Sequence, residues 1–245
     1  MKILGVIPAR YASSRFPGKP LADIKGKSMI RRVYEQASKV SSLSSVVVAT
    51  DDERIYNHVK TWGGEVMMTS TDHVSGTDRA YEVLSKQSEF FDVLVNIQGD
   101  EPYIDPSQIE KVTESFVNKE IQIASLAKKI TSKEELFSPN SVKVVIGENG
   151  QALYFSRAVI PFLRGVKEQD YLSQGEFFKH LGLYAYRTDI LKEICHLKVS
   201  KLEKAEFLEQ LRWLSAGFKI SMGITTLEAM AVDTPDDLLR LTNKA

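Results

Sequence analysis

The sequence predicts an α/β fold, a mostly parallel sheet flanked by helices, with an inserted β-rich segment in its second half. Two observations carry this. Up to about residue 120, short uninterrupted apolar runs alternate with longer amphipathic ones, the pattern of strands buried on both faces and crossed over by helices. Beyond it the alternation loosens, and the runs Val142–Ile146 and Ala152–Phe155 flank a Glu148-Asn149-Gly150 turn, the pattern of a hairpin. A chain of 245 residues can bury one large core, and no repeat, low-complexity stretch or linker divides it, so residues 1–245 are expected to form one domain.

The elements follow in order. Ile3-Leu4-Gly5-Val6-Ile7 reads as a buried strand, followed after a polar loop by a helix with Met29, Ile30, Val33, Tyr34, Ala37 and Val40 at helical spacing. Val46-Val47-Val48-Ala49 is the next strand. Thr50-Asp51-Asp52 can cap the helix carrying Ile55, Val59 and Trp62, which Gly63-Gly64 stops. Val66-Met67-Met68 and Val93-Leu94-Val95-Asn96-Ile97 are further strands, and Ile109, Val112 and Phe116 mark a helix. Val142–Ile146 and Ala152–Phe155 form the predicted hairpin, Leu181–Tyr186 a strand, and Phe207–Leu214 a helix ended by Gly217.

Composition narrows the chemistry. Lys and Arg (32) balance Asp and Glu (32), so no global field draws in nucleic acid or an anionic membrane, and any bound anion needs a local cluster. The single cysteine, Cys195, precludes an intrachain disulfide and a Cys-based zinc site; in its amphipathic run it reads as a packing residue. The first apolar run is stopped by Pro8 and nothing approaches the ~18 apolar residues of a membrane span, so a cytoplasmic protein is expected.

In open parallel sheets, ligands bind outside the carboxyl ends of strands. The loop after the first strand, Pro8 to Pro20, carries Arg10, Arg15 and Lys19 among glycine and serines. Fixed cations with free backbone N–H groups suit a polyphosphate, although a basic loop elsewhere would be a solvated surface. The dinucleotide pattern Gly-x-Gly-x-x-Gly is absent, and Gly26-Lys27-Ser28 lacks the first glycine of a Walker loop. The fourth strand ends in Gln98-Gly99-Asp100-Glu101-Pro102, and Asp233-Thr234-Pro235 opens a late helix. Magnesium prefers one or two carboxylates plus substrate phosphates, which suits lone aspartates at separate strand ends; for Asp233, taken on its own residues, a plain helix cap is the first reading.

The run Ile7-Pro8-Ala9-Arg10-Tyr11-Ala12-Ser13-Ser14-Arg15-Phe16-Pro17-Gly18-Lys19-Pro20-Leu21 closely resembles the opening signature of the 3-deoxy-manno-octulosonate (Kdo) cytidylyltransferases, or CMP-Kdo synthetases, and Gln98–Pro102 and Val232–Pro235 resemble later motifs of that family. The resemblance implies a Rossmann-like nucleotidyltransferase sheet, a magnesium cofactor on Asp100 and Asp233, and Gln98 beside nucleotide and sugar. Ser75 and Gly76, in His73-Val74-Ser75-Gly76-Thr77, are implied as weaker contacts near the cytidine, in a segment that also reads as a capped helix start. Arg10, Arg15 and Lys19 would neutralise the phosphates of CTP, with Arg10 and Lys19 counted among the catalytic groups.

Three later segments match the Kdo branch jointly and in order: Tyr154–Pro161, His180–Arg187 and Leu208–Arg212. Taken singly, Arg157 reads as well as a surface ion pair, His180 as a core histidine and Glu209 as a solvated helix residue. By resemblance Arg157 meets the acidic sugar's charge, and His180, Tyr184, Glu209 and Gln210 bind its hydroxyls. The run Thr225–Ala231 has no familiar pattern. The expected reaction is direct displacement on the α-phosphorus of CTP with release of pyrophosphate, for lipopolysaccharide biosynthesis, by a homodimer. The alternatives are the same reaction on 8-amino-Kdo or another acidic sugar, and a non-catalytic nucleotide-binding module.

Overall fold

The structure, a computed structural model, describes residues 1–12, 15–228 and 230–244, without the side chains of 243 and 244. Its strands are β1 Ile3–Ala9, β2 Asp23–Ile24, β3 Lys27–Ser28, β4 Ser45–Thr50, β5 Val66–Met68, β6 Val93–Asn96, β7 Ile123–Lys129, β8 Lys143–Ile146, β9 Ala152–Ser156, β10 Phe178–Arg187 and β11 Ile220–Thr225. The helices are α1 Met29–Ala37, α2 Glu53–Thr61, α3 Gly76–Ser85, α4 Pro106–Glu114, α5 Lys133–Phe137, α6 Tyr171–Gln174, α7 Thr188–Cys195, α8 Lys201–Glu206, α9 Gln210–Ser215 and α10 Pro235–Lys244.

The central path of the sheet runs β11-β7-β10-β6-β1-β4-β5. β1 pairs parallel with β4 and β6, β4 with β5, and β11 with β7, while β10 lies antiparallel between β6 and β7. The sheet is therefore mostly parallel, as expected, and the predicted hairpin is β8–β9, hung on β10 through β8. Gly150 at its turn has φ +74, a conformation that glycine adopts without a Cβ penalty.

Alternation along β1 fills both faces. Leu4 and Val6 pack into one cluster with Ala80, Val83, Leu191 and Leu211, whereas Ile3 and Ile7 pack into the other with Ile30, Val33, Ile55 and Ile109. Each such side chain contributes about 1.5–3 kcal/mol by leaving water. The helices start on short polar caps: the side chains of Ser28, Asp52, Ser75, Asp105, Ser132 and Ser200 each accept from a backbone N–H in the first turn.

Two differences from the sequence reading stand out, and one rejected motif finds its structural explanation. β7 and β11 were not anticipated, and they form the sheet's far edge beyond the antiparallel β10. The helix expected over Phe207–Leu214 begins at Gln210: Phe207 ends α8 with φ 53, and a turn separates α8 from α9. Gly26-Lys27-Ser28 is a hairpin turn followed by a helix cap, with Lys25 and Gly26 at φ 50 and 80, the two left-handed residues that a type I′ turn needs. Among the described residues, no helix is long and apolar enough to cross a membrane.

Candidate active site

The loop after β1 and the loop after β6 face each other across a cleft of about 360 Å³ whose walls include Arg10, Arg15, Lys19, Gln98 and Asp100. Their close approach depends on Gly99. A Cβ there would lie 2.6 Å from the Pro8 carbonyl oxygen, a separation that real side chains do not tolerate. Gly18 closes the β1 loop: its N–H donates to the Tyr11 carbonyl at 2.9 Å, its φ is +72, and the Tyr11 ring fills the space beside it. Ser13 and Ser14 of this loop lie outside the described residues.

Asp100 and Asp233 converge. Lys19 Nζ is 2.8 Å from Asp100 Oδ2 and 3.6 Å from Asp233 Oδ1, and Arg15 Nη2 donates to Asp233 Oδ1 at 2.9 Å. The convergence has a backbone cause, since the N–H of Val232 donates to the Asp100 carbonyl at 2.9 Å. Nor does the Asp233 side chain cap α10. Thr234 Oγ1 accepts from the Asp237 N–H at 3.2 Å, and Asp237 Oδ2 accepts in return from the N–H groups of Asp233 and Thr234. With capping done by Thr234 and Asp237, the Asp233 carboxylate is left for the cleft.

Among the described residues, no three His, Cys, Asp or Glu side chains gather as a metal site. The two converging carboxylates are a hard-oxygen donor set of the size that magnesium takes from protein when phosphate oxygens complete its shell. The residues present fit that ion.

Behind the cleft, Arg10 Nη2 donates to the His73 carbonyl and, at 3.4 Å, to that of Ser75. Burial, then the nearby Arg79, lowers its pKa from the ordinary arginine value. Ser75 caps α3, accepting from the Asp78 N–H at 3.0 Å and donating to Asp78 Oδ2 at 2.8 Å. Gly76 packs against Pro8 and Asn96, which seats the start of α3 at the ends of β1 and β6. Gln98 Nε2 donates to the Gly182 carbonyl at 2.7 Å, at an irregularity in β10 between Leu181 and Tyr184.

That bond joins the cleft to a second group of residues. Tyr184 on β10 is in register with Asn96 on β6; its ring lies 5.1 Å from His180 and 5.1 Å edge-on from Trp213 of α9. Tyr184 Oη, Gln210 Nε2 and Trp213 Nε1 are buried without a hydrogen-bond partner. His180 Nε2 lies 3.1 Å from Ser125 Oγ, which is also within reach of the Leu181 and Leu183 carbonyls at 3.1 and 2.9 Å. With the Ser125 hydroxyl donating to one of those carbonyls, a neutral His180 ring donates to Ser125 through Nε2–H. Burial pushes its pKa down to about 3, consistent with that neutral form.

Glu209 Oε2 accepts from Thr77 Oγ1 at 2.9 Å, tying the start of α9 to α3, and burial raises its pKa. Arg157 spends three N–H groups on backbone carbonyls: Nε on Glu206 at 2.8 Å, Nη1 on Pro139 at 3.0 Å and Nη2 on Phe207 at 3.4 Å. Two of its five N–H groups remain for a ligand.

Sequence reasoning missed Ser125, Thr77, Trp213 and Glu101. Glu101 follows Asp100 directly, and its carboxyl is pushed up to about 8 by burial, with the charges of Asp100 and Glu228 adding to the effect. Only its neighbour in sequence signalled it; the burial that shifts it is tertiary. Cys195 is half-buried with its thiol pushed up beyond the ordinary range by burial, as befits a packing residue.

A cationic loop and an acid pair at the carboxyl ends of a mostly parallel sheet define a nucleotidyltransferase. The sequence profile of the cytidylyltransferase family matches residues 4–220. The chain is 56% identical over 242 residues to the 3-deoxy-manno-octulosonate cytidylyltransferase of Parabacteroides distasonis, covering 97% of this chain and 96% of the relative. It is 55% identical over 241 residues to that of Bacteroides thetaiotaomicron, with 97% and 96% covered. The solved structure of a CMP:2-keto-3-deoxy-manno-octonic acid synthetase complexed with CTP superposes with a TM-score of 0.93 at 42% identity, over 100% of this chain and 98% of that one. The chain belongs to the 3-deoxy-manno-octulosonate cytidylyltransferase family, the CMP-Kdo synthetases.

Proposed function

We propose a division of labour within this site for the reaction of the family. The chain activates Kdo to CMP-Kdo with CTP and releases pyrophosphate. The observation that supports the arrangement best is the placement of Lys19 between Asp100 and Asp233.

Arg10, Arg15 and Lys19 neutralise the triphosphate. In the free protein Lys19 and Arg15 rest on the two aspartates, so both cations are held in the cleft before nucleotide arrives and exchange carboxylate for phosphate oxygens. Asp100 and Asp233 would hold magnesium, which would supply charge neutralisation at the phosphates and a lowered pKa for the attacking hydroxyl. Ser75 and Gly76, at the start of α3, face the nucleoside, and Gln98 stands between nucleotide and sugar. Arg157 grips the sugar carboxylate with its two remaining N–H groups, while His180, Tyr184, Glu209 and Gln210 meet the sugar hydroxyls. The anomeric hydroxyl then displaces pyrophosphate in line, without a covalent enzyme intermediate. Positioning and charge neutralisation carry such transfers.

The protein works in the cytoplasm as a homodimer and supplies activated Kdo for lipopolysaccharide. Pyrophosphate release with CTP, Mg²⁺ and Kdo tests the reading, with ATP, GTP and 8-amino-Kdo as comparators. Comparable turnover with a purine nucleotide overturns the cytidylyl assignment, and faster turnover of 8-amino-Kdo overturns the sugar.

A further inference from the structure

The run Thr225–Ala231, without a familiar sequence pattern, acquires a role in the structure. Thr226–Glu228 leave edge strand β11, and Met230 and Ala231 lead into Val232, whose N–H is held by the Asp100 carbonyl after β6. In sheet order the run crosses β7 and β10, and at each it meets a lysine that projects to the same carboxylate. Glu228 Oε2 is 2.6 Å from Lys128 Nζ of β7, and Glu228 Oε1 pairs with Lys179 Nζ of β10. Lys179 is steadied from the other side by Glu135 of α5 at 3.1 Å. The Leu227 carbonyl accepts from Gln108 Nε2 of α4 at 3.3 Å.

Chain length alone does not fix this path. The seven residue steps from Thr225 to Val232 reach about 23–25 Å when extended, whereas the three strand spacings between β11 and β6 cross about 14 Å. The slack has to be taken up by ties. Val232 is fully buried with Ile24, Met29 and Leu241, which anchors the far end. Glu228 is the charged tie in the middle, about one quarter exposed and pinned by two strands.

We propose that Glu228 is a positioning residue for Asp233: its grip on Lys128 and Lys179 sets the course of the strap that brings Asp233 over Asp100. This rests on the reading of Asp100 and Asp233 as the magnesium-holding pair. Substitution of residues that orient metal ligands typically weakens metal affinity about 10–100-fold.

The test uses the full-length protein and Glu228→Gln, which keeps shape and removes charge, with Glu228→Asp as the conservative control. Hydrogen exchange of the metal-free proteins reads the strap directly. Glu228→Gln is expected to exchange faster across residues 226–233, with the sheet unchanged, and Glu228→Asp to fall between it and the native chain. Mn²⁺ binding in the presence of CTP, followed by electron paramagnetic resonance, is expected to weaken about 10–100-fold in Glu228→Gln. The Mg²⁺ requirement for turnover should rise correspondingly, with KM for CTP at saturating Mg²⁺ unaltered. Native exchange and native Mn²⁺ affinity in Glu228→Gln overturn the inference. Failure of the native protein itself to bind Mn²⁺ with CTP overturns the metal reading, and the inference with it.

Discussion

The backbone N–H of Val232 donates to the carbonyl oxygen of Asp100 at 2.9 Å, and through that bond two acidic segments more than a hundred residues apart become one site. The neighbouring Lys19 then lies within 4 Å of both carboxylates. The cations of the β1 loop thus bridge the two carboxylates in the free protein, Lys19 reaching both and Arg15 holding Asp233.

Because Thr234 and Asp237 cap α10, the two roles of this corner should separate on mutation. Asp233→Asn is expected to lower turnover roughly 10²–10³-fold with an unchanged thermal midpoint. Thr234→Ala is expected to cost about 1 kcal/mol of stability and far less activity. Steady-state kinetics beside thermal denaturation decide it. A destabilised Asp233→Asn with near-native turnover would return Asp233 to the status of a cap.

Gly99→Ala should strike the cleft through sterics alone. Its Cβ, 2.6 Å from the Pro8 carbonyl oxygen, forces the β1 and β6 loops apart. A cost of about 1–3 kcal/mol in urea unfolding is expected, together with a raised KM for CTP. Native values for both would show that the loops can separate freely.

Arg157→Lys keeps the charge and loses the planar fork that reaches three carbonyls. With charge-assisted hydrogen bonds contributing about 1.5–3 kcal/mol, kcat/KM for Kdo should fall on the order of tenfold to a hundredfold while KM for CTP changes little. Equal losses for both substrates would place Arg157 on the nucleotide side. Lowered stability with native kinetics would leave it a strut for the Phe207 turn.

His180 gives a signed pH dependence. Its pKa is lowered by burial from 6.5 to about 3, so between those values the unfolded chain holds a proton that the native state refuses. The contribution is present in full above pH 6.5 and is lost as pH falls towards 3, at about 1.4 kcal/mol per pH unit. His180→Gln removes it. The stability gap between native protein and variant, from urea unfolding at pH 7.5 and pH 5.5, should therefore narrow at the lower pH. Parallel profiles would mean that His180 takes up its proton in the folded state.

The parallel half of the fold was legible in the sequence because its signals are local. β1, β4, β5 and β6 are apolar runs of the right length, and the helices between them carry one apolar stripe each. The cationic loop was legible for the same reason, as its three cations lie within ten residues of one another. By contrast β7, Ile123-Ala124-Ser125-Leu126-Ala127-Lys128-Lys129, mixes small and polar residues, and it becomes a strand because β10 and β11 flank it. Whether Asp233 caps α10 turned on which side chain, its carboxylate or the Thr234 hydroxyl, meets the first turn, a choice between adjacent residues that both cap helices.

By itself the sequence determined the family, the parallel half of the sheet, the cationic loop and the identity of the acids, since each is written in neighbouring residues. The tertiary structure alone decided that the acids converge, that Arg157 has two donors to spare, that Tyr184, Gln210 and Trp213 hold unpaired polar atoms in common, and that Glu228 ties the strap. The physical reason is that distance, burial and hydrogen-bond partnership between distant segments depend on how the chain packs, and no local pattern encodes them.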